Sequence, residues 1–242
     1  FIGKVAKDTF GEIFAHDIRA AGVAFETAAA DGGAPTARSL ILVTPDGERT
    51  MNTFLGVSPE LDSGAIDAGM IESAAITYLE GYLFDRDEAK AAFGEAARLA
   101  RAAGRKVSLT LSDGFCVDRH RDSFLSLIKN DIDILFANED EICSLYQTSS
   151  FDEAAEKVAA DAELTVLTRS EKGSLVINGD AKHQADACPV DEVVDTTGAG
   201  DLFAAGFLYG YAKGFDHTRS ARLGSLAAAE IISHVGARAE AD

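Results

Sequence analysis

The chain has 242 residues, 47% of them hydrophobic and 26% charged, which is enough apolar material for one sizeable core and too much for a disordered polypeptide. Its 40 Asp and Glu against 22 Lys and Arg give a net charge of −18, so nucleic acid and anionic membrane surfaces are excluded as expected partners. A nucleotide is not excluded, because a nest of backbone N–H groups can hold phosphate inside a negative molecule.

The opening Phe1-Ile2-Gly3-Lys4-Val5 has the apolar look of a core strand. Asp8 to Ala21 carries Phe10, Ile13, Phe14 and Ile18 at helical spacing, with Gly22 placed to end the helix. Ser39 to Thr44 and Glu48 to Phe54 read as two strands joined at Pro45-Asp46-Gly47, with no helix between them, and so as an antiparallel insertion. From Ala74 the pattern alternates: strand Ala74 to Leu79, helix Asp87 to Ala103, strand Val107 to Leu111, helix Arg119 to Lys129 and strand Ile132 to Phe136. Helices over Glu139 to Tyr146 and Phe151 to Ala160 and a strand over Leu164 to Thr168 continue it. A hairpin follows from Ser174, turning at Asn178-Gly179-Asp180. After an extended Pro189 to Val194, helices over Asp201 to Lys213 and His217 to about His234 close the chain.

Alternating strands and helices predict an α/β fold with a mostly parallel sheet flanked by helices. Its core is expected over residues 1–22 and 58–242, with a small β lid over 23–57. The three cysteines, Cys116, Cys143 and Cys188, have no metal-ligand spacing and read as small buried side chains in a reducing cytoplasm. No apolar run is long enough to span a bilayer. The histidines show no ligand spacing; His120, between two arginines, reads as a surface or helix-start residue, and no zinc site is implied.

The segment Asp195-Thr196-Thr197-Gly198-Ala199-Gly200-Asp201 carries the strongest chemical signal. It places a glycine-rich loop at a helix start, where first-turn N–H groups without partners meet the positive end of the dipole and suit a phosphate. A carboxylate there would repel that ligand unless it accepts the proton of an attacking hydroxyl, a role that falls to Asp201. The plainer reading of Asp195 and Asp201 as helix-start residues around a tight turn explains less of the string.

Two further polar clusters sit where parallel strands should end, the edge at which open α/β sheets bind ligands. Asn138 and Glu141 could organise the water shell of Mg²⁺, or could simply cap a helix with an acidic first turn. Thr168, Arg169, Ser170 and Gly173 form a polar turn in which Arg169 could contact phosphate or stay solvated.

The Asp195 to Asp201 string resembles the signature of the ribokinase family, the PfkB-type carbohydrate kinases, and the resemblance extends over nearly the whole chain. It implies a three-layer ribokinase-like fold with a small β-sheet lid, and transfer of the γ-phosphate of ATP to a primary hydroxyl of a sugar or nucleoside. By it, Asp201 is the catalytic base and Gly198, Ala199 and Gly200 form the anion hole. Asn138 and Glu141 match the family's Asn-x-x-Glu motif for Mg²⁺. Thr168, Arg169, Gly173, Thr197, Gly198 and Gly200 are implied to hold ATP, although Ser170 stands where the Thr-x-Gly-x-x-Gly segment usually has its first glycine. Gly81 resembles a glycine that lets substrate approach, Thr36, Arg38, Arg49 and Met51 could face the sugar, and Gly236-Ala237-Arg238 are expected to border the adenine. The segments Thr168 to Gly173 and Phe115 to Arg121 lean toward the adenosine-kinase-like branch. An early Asp and a Gly-Gly segment that grip sugar hydroxyls in the family are missing, so the chain is expected to be N-terminally incomplete. A homodimer through the β lid is a further expectation.

Two competing readings remain. A dinucleotide-dependent oxidoreductase also uses a glycine loop, but its fingerprint belongs between the first strand and helix. A nucleotide- or sugar-binding protein without turnover is the other; a pure binder gains nothing from a carboxylate aimed at phosphate.

Overall fold

The computed structural model describes residues 1–240. Strands β3 (Ile76–Glu80), β4 (Lys106–Thr110), β5 (Ile134–Asn138), β6 (Leu164–Thr168), β7 (Ser174–Asn178) and β8 (Ala181–Ala185) form one six-stranded sheet in sequence order. The first four run parallel, and β7 and β8 add antiparallel at the far edge. Helices α3 (Asp87–Ala102), α4 (Gly114–Asp131), α5 (Glu139–Tyr146) and α6 (Phe151–Asp161) provide the crossovers, as parallel neighbours require.

The strand sequences explain the layering. Val107, Leu109, Leu135 and Leu167 face the crossover helices and pack with Phe93, Ala97, Phe124, Ile128 and Val158. On the opposite face Ile134, Phe136, Val166 and Val176 pack with Phe203, Ala204 and Phe207 of α7 (Ala199–Ala212) and Ala221 of α8 (His217–Ile231). Strands covered on both sides are apolar at nearly every position, and β5 buries Ile134 through Ala137. Helices α7 and α8 meet backbone to backbone: a Cβ on Gly206 would lie 2.6 Å from the Leu223 carbonyl oxygen, and one on Gly224 2.7 Å from that of Phe203. Only glycine permits that approach, which fixes α7 against the sheet.

Side-chain caps set the helix starts. Asp8, Asp113, Ser150 and Asp216 each accept from a first-turn N–H. The expected strand and helix bounds shift by a few residues: α4 begins at Gly114 and bends at His120, and α7 begins at Ala199, which puts Asp201 inside its first turn.

Strands β1 (Arg38–Val43) and β2 (Arg49–Phe54) form a separate antiparallel pair with Arg38 opposite Phe54 and Val43 opposite Arg49. The expected turn between them closes through Gly47 N–H to Thr44 O at 2.9 Å. Before them, α1 (Thr9–Ala20) is capped by Asp8, which also accepts from Thr36 N–H and Oγ1. One expectation fails here and one is met with a difference. Phe1 to Val5 is not a strand, because no ladder forms beside it and only Ala6 bridges Ala30. The apolar stripe of α1 is only partly covered: Phe14 packs on Phe25, whereas Phe10 and Ile13 are exposed. Of the cysteines only Cys116 is fully buried, and all three are unpaired. No helix among the described residues is long and apolar enough to cross a membrane.

Candidate active site

Register places four polar residues on one edge. Glu80, the last residue of β3, is the Cα partner of Thr110 at the end of β4, and Asn138 at the end of β5 partners Thr168 at the end of β6. With a period of two, all four lie on the sheet face that carries Phe136 and Val166, the face covered by α7. The α7 N-terminus therefore meets the carboxyl ends of the parallel strands, and a cavity of about 400 Å³ opens between them. Its volume falls in the range of small-molecule sites.

The loop into α7 is held from behind. Asp195 is buried and accepts from Thr197 N–H at 2.9 Å and from Gly236 N–H at 3.0 Å. Gly198 adopts φ +83° at the helix N-cap, where a Cβ would lie 3.2 Å from the Ala237 side chain. Leu202 N–H closes the first turn on Gly198 O, no side chain caps this end, and the N–H groups of Gly200 and Asp201 belong to the turn that lacks helical acceptors. Gly198, Ala199, Gly200 and Asp201 all line the cavity. An anion placed there would take the cap position and meet the helix dipole.

Three carboxylates share this cavity, Glu80, Glu141 and Asp201, and Arg49 is the one basic residue among the described residues that line it. Burial pushes Glu80 up to about 7, against a hydrogen bond from the Ser112 hydroxyl, and the nearby Asp201 adds to the rise. Burial likewise pushes Glu141 up to about 7, opposed by the N–H of Asn138. Asp201 opens onto the cavity, and the protein that displaces water around it raises its pKa above the ordinary carboxylate value, while the Arg49 guanidinium pulls it back. Arg49 comes from the start of β2 and donates to Thr196 Oγ1, so the two-stranded sheet reaches the anion loop.

The expected site residues divide. Asp201, Gly198, Ala199, Gly200, Asn138, Glu141 and Thr168 converge on the cavity. Thr197 is buried behind the loop with its N–H on Asp195. Arg169 turns away: its Nε donates to Glu139 at 3.0 Å and its guanidinium stacks 3.9 Å over Phe151, so it is neither solvated nor aimed at the cavity. Gly173 lies outside the lining too, with φ +82° and no room for a Cβ beside the Ala185 carbonyl oxygen at 2.1 Å. Ser170, in place of the usual glycine, takes the left-handed conformation at φ +51°. Asn138 and Glu141 form a reciprocal capping box on α5, with Glu141 N–H on Asn138 Oδ1 at 2.8 Å and Asn138 Nδ2 on Glu141 Oε1 at 2.7 Å. The helix-cap alternative holds, and both capping residues also line the cavity.

Other expectations change. A Cβ on Gly81 would lie 2.7 Å from Thr110 O, so this glycine admits the neighbouring strand rather than a ligand. Among the sugar-facing candidates only Arg49 reaches the cavity; Thr36 is buried under Asp8, Arg38 stacks on Phe10 and Phe54, and Met51 is exposed. His120 is not a free surface residue, as its Nε2 lies 2.6 Å from Asp85. Gly236 and Ala237 border the anion loop, and Arg238 pairs with Asp17. Reading the sequence missed Glu80, Ser112 and Tyr82. The one available signal was that each follows an apolar strand, at the edge where ligands bind.

No group of three or more His, Cys, Asp or Glu among the described residues is arranged to hold a metal ion. The cavity offers oxygen donors only, which suits a hydrated hard cation rather than a zinc-type cage.

The model of the pfkB family carbohydrate kinases matches residues 1–242. An uncharacterised sugar kinase of Archaeoglobus fulgidus is 30% identical over 242 residues, covering 98% of this chain and 92% of that protein. The crystal structure of adenosine kinase from Sinorhizobium meliloti superposes with a TM-score of 0.97 at 50% identity, over 99% of this chain and 73% of that one. Arabidopsis thaliana ribokinase complexed with ribose and ATP superposes with a TM-score of 0.77 at 24% identity, over 98% of this chain and 76% of that one, a likeness of fold.

Proposed function

Because the chain belongs to the pfkB family of carbohydrate kinases, we propose that it transfers the γ-phosphate of ATP to a primary hydroxyl of a sugar or nucleoside. The observation that carries the reading is Asp201 in the first turn of α7, beside N–H groups without helical acceptors and facing the strand ends across one cavity. In this reading the acceptor hydroxyl lies against Asp201, which takes its proton as the oxygen attacks in line. The N–H groups of Gly200 and Asp201 hold the charge that develops on the transferred phosphoryl group, and Arg49 adds a cation above them. Thr168 and the segment around Ala237 border the nucleotide side.

Asn138 and Glu141 would hold Mg²⁺, which would supply positive charge to offset that of the phosphates. Asn138 and Glu141 fit it through water, because their mutual hydrogen bonds leave carboxylate and amide oxygens with spare lone pairs at the cavity wall. Glu80 lines the same cavity and accepts hydrogen bonds from acceptor hydroxyls. The nucleoside branch is favoured by the 50% identity to an adenosine kinase. The unpaired cysteines suit a reducing cytoplasm. A homodimer through the two-stranded sheet would cover Leu40 and Leu42; a monomer in sedimentation at working concentration removes that part.

The test is ADP release from Mg·ATP with a panel of nucleosides, ribose and fructose. Acceptor-dependent release that collapses in Asp201→Asn is expected. Acceptor-independent release, or full activity in the variant, overturns the assignment.

A further inference from the structure

Ser112 follows β4 and is one of three non-glycine residues with a left-handed backbone among the described residues, at φ +73°. A serine gains nothing local from that conformation, which crowds its Cβ against the backbone. The segment is a tight turn, with Asp113 N–H on Leu111 O at 2.9 Å, and it places the Ser112 hydroxyl in the cavity lining. There the hydroxyl donates to Glu80 Oε1. The Gly81 backbone allows this: a Cβ at residue 81 would stand 2.9 Å from Ser112 Oγ. The strained residue, the missing side chain at 81 and the carboxylate are therefore one arrangement. Backbone strain of this kind persists where surrounding structure enforces it and concentrates at ligand sites.

The Tyr82 N–H also donates to the Glu80 carboxylate. We propose that Ser112 is a positioning residue for acceptor recognition: its left-handed turn aims the hydroxyl at Glu80 and helps hold the carboxylate in one orientation toward an acceptor hydroxyl opposite Asp201. This deepens the kinase assignment and rests on it. A carboxylate free to rotate would meet the acceptor in several orientations and lose the benefit of preorganisation. The Ser112 hydroxyl bonds Glu80 rather than the loop before α7, so its effect is expected on the acceptor.

The decisive variant is Ser112→Gly, which removes the hydroxyl and relieves the strain together. With the full chain and Mg·ATP, acceptor KM is expected to rise about tenfold, with kcat and the KM for ATP within about twofold. The melting temperature is expected to hold or rise, because glycine accepts φ +73° without cost. In a Glu80→Ala background, which removes the oxygen that Ser112 bonds, the same change should alter acceptor KM by less than about twofold, since coupled residues are not additive. Unchanged acceptor KM in Ser112→Gly, a parallel shift in both KM values with a lowered melting temperature, or effects that multiply in the double variant overturns the positioning role alone. Lack of acceptor-dependent ADP release in the wild-type chain overturns the kinase assignment, and this role with it.

Discussion

One strand from each sheet, β1 and β5, carries a similar apolar run, and the two meet opposite fates. β5 buries four consecutive residues between two helical layers, whereas β1, with Leu40, Ile41 and Leu42 in its middle, leaves Leu40 72% and Leu42 63% exposed. A run of apolar residues states that a strand can be buried and says nothing of what covers it. The chemistry divides the same way: the six-stranded sheet presents Glu80, Asn138 and Thr168 from rigid strand ends, while the two-stranded sheet contributes one long side chain, Arg49, across the gap to Thr196.

Several changes test that contrast. The largest expected effect is on the rigid side: Asp201→Asn should lower kcat about 10³-fold, read as ADP release, with folding intact by circular dichroism. Leu109→Ala, in the fully buried centre of β4, should cost about 2–5 kcal/mol in urea unfolding, whereas Leu40→Lys on the exposed strand should change stability by no more than about 0.5 kcal/mol. A cost at Leu40 comparable to that at Leu109 would mean that the small sheet is covered in solution.

Arg49→Ala probes the link between the sheets. It should lower kcat by about 10²-fold while leaving the melting temperature nearly unchanged, because it removes an exposed cation facing the anion loop. Equal losses in activity and stability would make the Arg49 to Thr196 bond a structural tie.

A pH series separates the cavity carboxylates from the surface ones. The folded state holds Glu80 and Glu141 protonated up to about 7, whereas the unfolded chain releases those protons near 4.5. The associated stability is present below the unfolded value and lost as pH rises through about 7. Melting temperature should therefore fall between about pH 5 and about pH 7.5, and Glu80→Gln should flatten that fall. At the turn after β6, Ser170→Gly relieves φ +51° and should stabilise by about 0.5–1 kcal/mol, read in urea unfolding.

The order of strands and helices was readable from periodicity because the crossover helices show apolar stripes and the central strands carry apolar residues at most buried positions. The anion loop was readable because glycines and a carboxylate at a helix start are an unusual local combination. Phe1 to Val5 misled because apolar composition does not supply a hydrogen-bonded neighbour, whereas α1 formed as its spacing indicates although Phe10 and Ile13 stay about half exposed. Arg169 was undetermined because a charged turn residue takes whichever partner the fold brings, here Glu139 and Phe151.

By itself the sequence determined the α/β alternation, the antiparallel insertion and the residues of the anion loop, because these depend on contacts within one or two turns of chain. Only the tertiary structure decided that Glu80, Ser112 and Arg49 join Asp201. Those residues lie far apart along the chain, and strand register, the close crossing of α7 on α8 and the left-handed turn at Ser112 bring them to one cavity.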